Sequence, residues 1–237
     1  LKKEIFYGPY AFSSEIFLKS LKLPSKKKIS VMINAKDYFE DFNLINKYFI
    51  KQKHSSVDIV RIAVNYDEYI KCKKITQRLK KLGYQIGLNL MKGHNLNFDL
   101  CKKIFKDVNS WKTVDVLYFA DSLGCMEPND VIELCNIFKN HWKKDFGIHA
   151  HNNKGLALLN TISATNHGAA WIDSTILGMG RGAGNVSTES LLIELNYKKK
   201  IGKICFSDLS QFYFLKNKYN WGYNPFYHYS SVYKIHP

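Results

Sequence analysis

Residues 114–151 read VDVLYFADSLGCMEPNDVIELCNIFKNHWKKDFGIHAH. The stretch opens on Val114-Asp115-Val116-Leu117-Tyr118-Phe119-Ala120, a nearly continuous β-branched and aromatic run of the kind found in a strand covered on both faces. A polar loop follows. Residues 129–142 then set Val131, Ile132, Leu134, Cys135, Ile137 and Phe138 on one helical stripe, after Glu127-Pro128, a pair suited to a first turn. Phe146-Gly147-Ile148-His149-Ala150-His151 completes the stretch as a second strand. Strand, helix and strand within this length make a βαβ unit, whose two strands lie parallel.

The same period runs outward in both directions. Apolar runs begin at residues 29, 57, 84, 114, 146 and 171, so the starts are 25 to 32 residues apart. Tyr69, Ile70, Ile75, Leu79 and Leu82 recur at helical spacing up to Gly83, a C-terminal stop. Another helix is expected from about Asn153, carrying Leu156, Leu159, Ile162 and Ser163 and ending at Gly168. Six such units favour an α/β fold of the TIM (β/α)8 barrel type, here lacking its first two β/α units, since the complete barrel has eight and roughly 250 residues. An open doubly wound sheet is the alternative. Residues 1–200 are read as this partial barrel. Residues 201–237, rich in aromatic side chains, are read as a C-terminal tail or the start of a small helical extension. Within them, residues 221–227 read as a lid, an interface or, most plainly, a packing tail.

Composition bounds the function. The chain has 237 residues, 46% hydrophobic and 23% charged, which is ordinary for a globule able to fold without disulfides or a structural metal. Five cysteines (Cys72, Cys101, Cys125, Cys135, Cys205) with no C-x-x-C spacing suit a reducing, cytoplasmic setting. No apolar run reaches the roughly 18 residues needed to span a bilayer, so no membrane role is expected. The chain opens Leu1-Lys2-Lys3-Glu4 without a methionine, as a piece of a longer protein would. Net charge is +15, but Arg61, Arg78 and Arg181 are the only arginines, and the lysines scatter as Lys26-Lys27-Lys28, Lys80-Lys81 and Lys198-Lys199-Lys200. Nucleic-acid readers lean on arginine, so the surplus reads as a solvated basic surface and no nucleic-acid partner is expected.

In barrels of this class chemistry sits at the C-terminal ends of strands. His149 and His151 end one strand at i and i+2, which turns both imidazoles to one face, in reach of one ion. Neutral imidazoles suit several transition metals, and an H-x-H pair also occurs as two satisfied polar residues. The glycine-rich stretch Gly178-Met179-Gly180-Arg181-Gly182-Ala183-Gly184-Asn185 contains G-x-G-x-x-A, but it follows the last strand of the series and the residues near Lys198 supply no acid for a ribose. Such glycines instead let backbone approach a ligand closely. Asn185 either lends its carbonyl oxygen to a cation or caps a helix over 187–195. Arg61, inside an apolar strand, either has a structural partner or meets a substrate carboxylate. Asn89 and Asp121-Ser122 end strands and are expected to line the same mouth.

Gly147-Ile148-His149-Ala150-His151-Asn152-Asn153, the 178–185 loop and Ala120-Asp121-Ser122, in this order and spacing, make residues 29–196 resemble the HMG-CoA-lyase-like family of metal-dependent barrels, the DRE-TIM metallolyases. The likeness is strongest to their 4-hydroxy-2-oxovalerate aldolase-like branch. The resemblance implies that His149 and His151 are metal ligands, that Asn185 sits near or on the metal, and that Ser122 hydrogen-bonds a 2-oxo acid. Tyr223 is similar to a tail tyrosine that enters the active site in that branch, and Arg61 and Asn89 are expected to face substrate. The metal is Mn2+, Mg2+, Co2+ or Zn2+, undistinguished. One departure stands out: the family's first strand carries an arginine-aspartate-glycine motif whose aspartate is a third ligand, and nothing in residues 1–28 matches it. Glu4, Glu15 and Asp37 stand in no such context.

The implied activity is a metal-dependent aldolase or lyase that cleaves or forms a carbon–carbon bond beside a 2-oxo acid such as pyruvate, with an aldehyde as the other reactant. No general base or acid stands out. An associated dehydrogenase or a homo-oligomer is compatible with the branch. The alternatives are an acyl-CoA-dependent Claisen synthase, which needs a CoA site and usually a long C-terminal domain, and a catalytically inactive barrel fragment. Without the aspartate, the segment alone is expected to be inactive.

Overall fold

The computed structural model describes residues 8–23, 26–195 and 206–235, and each apolar run named above contributes a strand. These are β1 (Ser30–Asn34), β2 (Ile59–Asn65), β3 (Gln85–Met91), β4 (Val116–Asp121), β5 (Phe146–Ala150) and β6 (Trp171–Ile172). They follow one another in the order β1-β2-β3-β4-β5-β6. Consecutive barrel units give such an order, whereas a doubly wound sheet reverses at a switch point. Register is parallel from Ser30 opposite Ile59 to Asn34 opposite Ala63, and again at Gly147 opposite Trp171 and Ile148 opposite Ile172. The fold is α/β of the barrel type. The helices are α1 (Pro9–Phe12), α2 (Glu15–Ser20), α3 (Leu44–Tyr48), α4 (Cys72–Lys81), α5 (Phe98–Trp111), α6 (Pro128–His141), α7 (Ala157–Asn166), α8 (Thr188–Glu194), α9 (Phe206–Tyr219) and α10 (Pro225–Val232).

The chain divides into two compact units, Leu1–Leu90 with Lys106–Leu117, and Met91–Phe105 with Tyr118–Pro237. In the first, strand ends are tied by side chains that accept backbone N–H groups. Asp58 accepts from Ile29, and Asp115 accepts from Ile86 while pairing with Lys80 at 2.8 Å. Glu15 of α2 accepts from the Ser55 hydroxyl and the Ser56 amide, which anchors the N-terminal helix. Tyr69 donates its hydroxyl to Asp107 at 2.5 Å and lies against Trp111.

The second unit has an aromatic core. Phe138 of α6 meets Phe105, Phe119 and Phe146 with ring centroids 4.8, 5.4 and 5.4 Å apart. Glu127 and Asp130 form a capping box that starts α6 at Pro128. α7 begins at Ala157, later than the expected Asn153, because Asn152 accepts from the Ala157 amide and Gly155 turns at φ 77°. β6 is shorter than the apolar run 171–176. Past Asp173, whose amide still donates to Ile148, the chain leaves β5 for a different neighbour, with the Thr175 amide donating to Val186 and the Thr188 amide donating to Thr175.

Among the described residues no helix is long and apolar enough to cross a membrane. Cys72, Cys101, Cys125 and Cys135 are free and buried. Cys205, Lys198-Lys199-Lys200 and the expected boundary between residues 200 and 201 lie outside the described residues.

β5 runs so close to its neighbours that Gly147 has no room for a side chain. A Cβ there would stand 2.5 Å from the Tyr118 ring and 2.6 Å from the Trp171 carbonyl oxygen. Gly147→Ala is therefore expected to cost about 1–3 kcal/mol through overpacking. The measurement is the urea midpoint at unchanged slope, and an unshifted midpoint would contradict the close fit.

Candidate metal centre

The site grows from the end of β5. Alternation along the strand turns His149 and His151 the same way, and each ring is then fixed by one partner at Nδ1. His149 Nδ1 meets Asp173 Oδ2 at 2.8 Å. Asp173 is the residue after β6, next in line from the Ile148–Ile172 pair, so parallel register itself delivers the carboxylate. His151 Nδ1 meets the Ser122 backbone oxygen at 3.1 Å. Arg181 Nη2 donates to that same oxygen at 3.4 Å.

These contacts decide the tautomers. A carbonyl oxygen only accepts, so His151 carries its proton on Nδ1. A carboxylate also accepts, so His149 does the same. In the neutral rings both Nε2 atoms then present lone pairs, and they face each other 3.1 Å apart with the ring planes at 73°. Two converging acceptors repel unless a proton or a cation lies between them. The arrangement fits a divalent ion: nitrogen–metal bonds of about 2.0–2.1 Å reach one ion from atoms so spaced, and the carboxylate–imidazole contact behind His149 is the usual support for a metal-binding ring. The side chains of His149 and Asp173 are 25% and 16% exposed, so the pair is reachable from solvent.

Asn185 lies beside this pair. Its backbone bridges His151, and its Nδ2 donates to the Met179 carbonyl at 3.0 Å. It does not cap the following helix. Ser187 does, accepting from the Ser190 amide. The glycine loop closes on itself: a side chain on Gly184 would drive into the Gly178 carbonyl, and one on Gly180 would meet Asn185 Nδ2 at 2.6 Å.

Ser122 acts chiefly through its backbone, while its hydroxyl accepts from the Lys92 amide at 2.9 Å. Asp121, expected at the mouth, is instead fully buried and accepts from the amides of Cys125 and Met126 at 2.9 and 3.2 Å. Burial raises its carboxyl to about 6, against the pull of those two N–H groups and of Lys154. In the first unit, Arg61 Nε donates to Asn89 Oδ1 at 3.3 Å, a structural partner for the strand arginine. Tyr223 is 59% exposed, with its ring edge-on to His228. Asp173 was not singled out from the sequence, although a carboxylate ending the strand after the H-x-H strand, in register with the first histidine, was a usable signal.

Comparison with known proteins follows the same lines. The family model described as HMGL-like matches residues 45–214. A 4-hydroxy-2-oxovalerate aldolase of Pelotomaculum thermopropionicum is 36% identical over 148 residues, 62% of this chain and 42% of that protein. An oxaloacetate decarboxylase of Mycobacterium tuberculosis is 26% identical over 202 residues, 83% of this chain and 56% of that protein. The chain thus spans about two fifths of the length of the first curated relatives it matches. The crystal structure of the N-terminal domain of a Bacteroides vulgatus protein named as an aldolase superposes with a TM-score of 0.82 at 32% identity, over 99% of this chain and 78% of that one.

If Asp173 sets the His149 proton, Asp173→Asn should weaken Mn2+ or Co2+ binding about 10- to 100-fold, the usual loss for a residue supporting a ligand. Calorimetric titration measures it. Unchanged affinity would show that the carboxylate does not tune the ring.

Proposed function

Because the chain belongs to the HMGL-like family, we propose that it is part of a divalent-metal-dependent aldolase or lyase that acts on a 2-oxo acid. The observation that carries this reading is the pair of Nε2 atoms 3.1 Å apart, with both Nδ1 atoms engaged behind them. The names of the relatives, 4-hydroxy-2-oxovalerate aldolase and oxaloacetate decarboxylase, support a substrate of that class. The reaction proposed for this chain's protein breaks a carbon–carbon bond beside the oxo acid and releases an aldehyde.

His149 and His151 would hold the ion, with the Asn185 side-chain amide beside them. When bound, the ion supplies Lewis-acid stabilisation of the negative charge that develops as the bond next to the oxo group breaks. Asp173 keeps the His149 proton on Nδ1, so Nε2 stays a donor of its lone pair. The Ser122 carbonyl does the same for His151, and Arg181, sharing that carbonyl, stiffens the loop. Two imidazoles and an amide fall short of the ligand set the family uses. Catalysis is therefore assigned to the whole protein, to which this chain is proposed to contribute the histidine pair.

The test is release of pyruvate from a 4-hydroxy-2-oxo acid by the full-length protein. Chelation is expected to abolish turnover and added Mn2+ or Co2+ to restore it. His149→Ala and His151→Ala should each lower kcat/KM by more than about 100-fold, beyond the range of supporting residues. Turnover that persists in chelator would refute the reading.

A further inference from the structure

A second group of ligand-type side chains lies behind the histidine pair, on the loops that follow β3 and β4. The loops are tied where the Lys92 amide donates to Ser122 Oγ at 2.9 Å. Lys92 sits at φ 59°, and Gly93 after it lies against β4, where a Cβ would stand 3.0 Å from the Ala120 carbonyl oxygen. This tie carries His94 to the end of β4. There the buried Asp121 carboxylate accepts the Cys125 and Met126 amides and folds its own loop back. Gly124, at φ 58°, makes that turn with no space for a side chain against Asn153. As a result, ligand atoms of His94, Asp121 and Cys125 all lie within 4.8 Å of one another.

Two further observations point to a ligand. His94 Nδ1 is sealed from solvent and has no hydrogen-bond partner among the described residues, whereas buried imidazole nitrogens ordinarily find one. A cavity of about 200 Å³ also opens onto His94 and Cys125, with Asp130, Glu133 and Lys234 among its lining residues.

We infer that His94, Asp121 and Cys125 form a second metal site, for a zinc-class divalent cation held by His94 Nδ1, an Asp121 oxygen and Cys125 Sγ, with one position open toward the cavity. A thiolate with an imidazole selects zinc, cobalt or nickel over magnesium or calcium. Three protein ligands plus an open position is a set that zinc commonly takes. On binding, the Cys125 S–H bond breaks, its proton goes to solvent and the sulfur lone pair forms the bond to the metal. One thiolate and one carboxylate then balance the dication. Lys234 lines the same cavity, and its ammonium must stand clear of the ion. The site meets the histidine pair through a single peptide: Asp121 faces the new cluster, and the next residue, Ser122, lends its carbonyl to His151. An ion there would brace the loop that orients His151, and this role does not depend on the proposed catalytic activity.

Cobalt separates the two sites, because only this one contains sulfur. The metal-stripped full-length protein is titrated with Co2+ and followed by absorption. The expected result is a thiolate-to-cobalt charge-transfer band in the near ultraviolet, present in the wild type and in the His149→Ala/His151→Ala double variant. It should be lost in Cys125→Ser, and half-saturation should move to at least about 10-fold higher Co2+ in His94→Ala. Absence of the band from the wild-type protein, or its survival in Cys125→Ser, overturns the inference. The wild-type measurement needs no variant to fold, and a failed aldolase assay leaves this readout untouched.

Discussion

A backbone carbonyl and a carboxylate, each accepting the Nδ1 proton of an imidazole, govern the chemistry available to this protein. They convert two ordinary histidines into a pair of aimed lone pairs, and every feature around them bears on keeping that aim. The Ser122 carbonyl is displayed because the preceding aspartate draws its loop inward. Asp173 arrives because β6 pairs with β5 in parallel. The glycine loop packs Asn185 alongside because Gly180 and Gly184 leave no room for a side chain. Remove either acceptor and the corresponding ring is free to move its proton to the nitrogen that faces its neighbour.

Burial makes the supporting residues expensive to alter. Asp121 has no exposed surface, and its carboxyl is shifted upward because the charged form is deprived of water. Its two backbone donors offset part of that cost, so the loop conformation and the protonation of the group depend on each other. The same logic holds for Asn89, buried on β3 and bonded to Arg61. An arginine in an apolar strand is tolerable when a fixed oxygen receives it.

The βαβ period was legible in the sequence because strand-forming runs and helical stripes alternate at a steady interval. α4 and α6 were bounded by a glycine and by a proline, both local signals. Where the structure departs from those local signals, tertiary contacts replace local preference. The run through Ile176 is apolar enough for a longer strand, yet Thr175 exchanges its backbone bonds with 186–188, which no window of sequence around it reveals. The start of α7 moved because Asn152 reaches forward to accept from the Ala157 amide. Asn185 suits a helix cap by composition, yet the fold gives that role to Ser187 and holds Asn185 in the close-packed glycine loop. His94 gave no signal at all. It joins Asp121 and Cys125 through a hydrogen bond between residues 92 and 122, a contact across thirty positions.

β6 is two residues long, yet it sets which atom of a histidine is basic. Were the crossover between β5 and β6 to gain or lose a residue and the strand to slip by one place, Ile172 or Ser174 would stand opposite His149 in place of the acid. An aliphatic side chain there accepts no proton, and a hydroxyl accepts one only weakly. Length variation among natural versions of this chain should therefore be absorbed in the turns around α7 and leave the pairing of Trp171 intact, a constraint that acts on spacing more than on residue type.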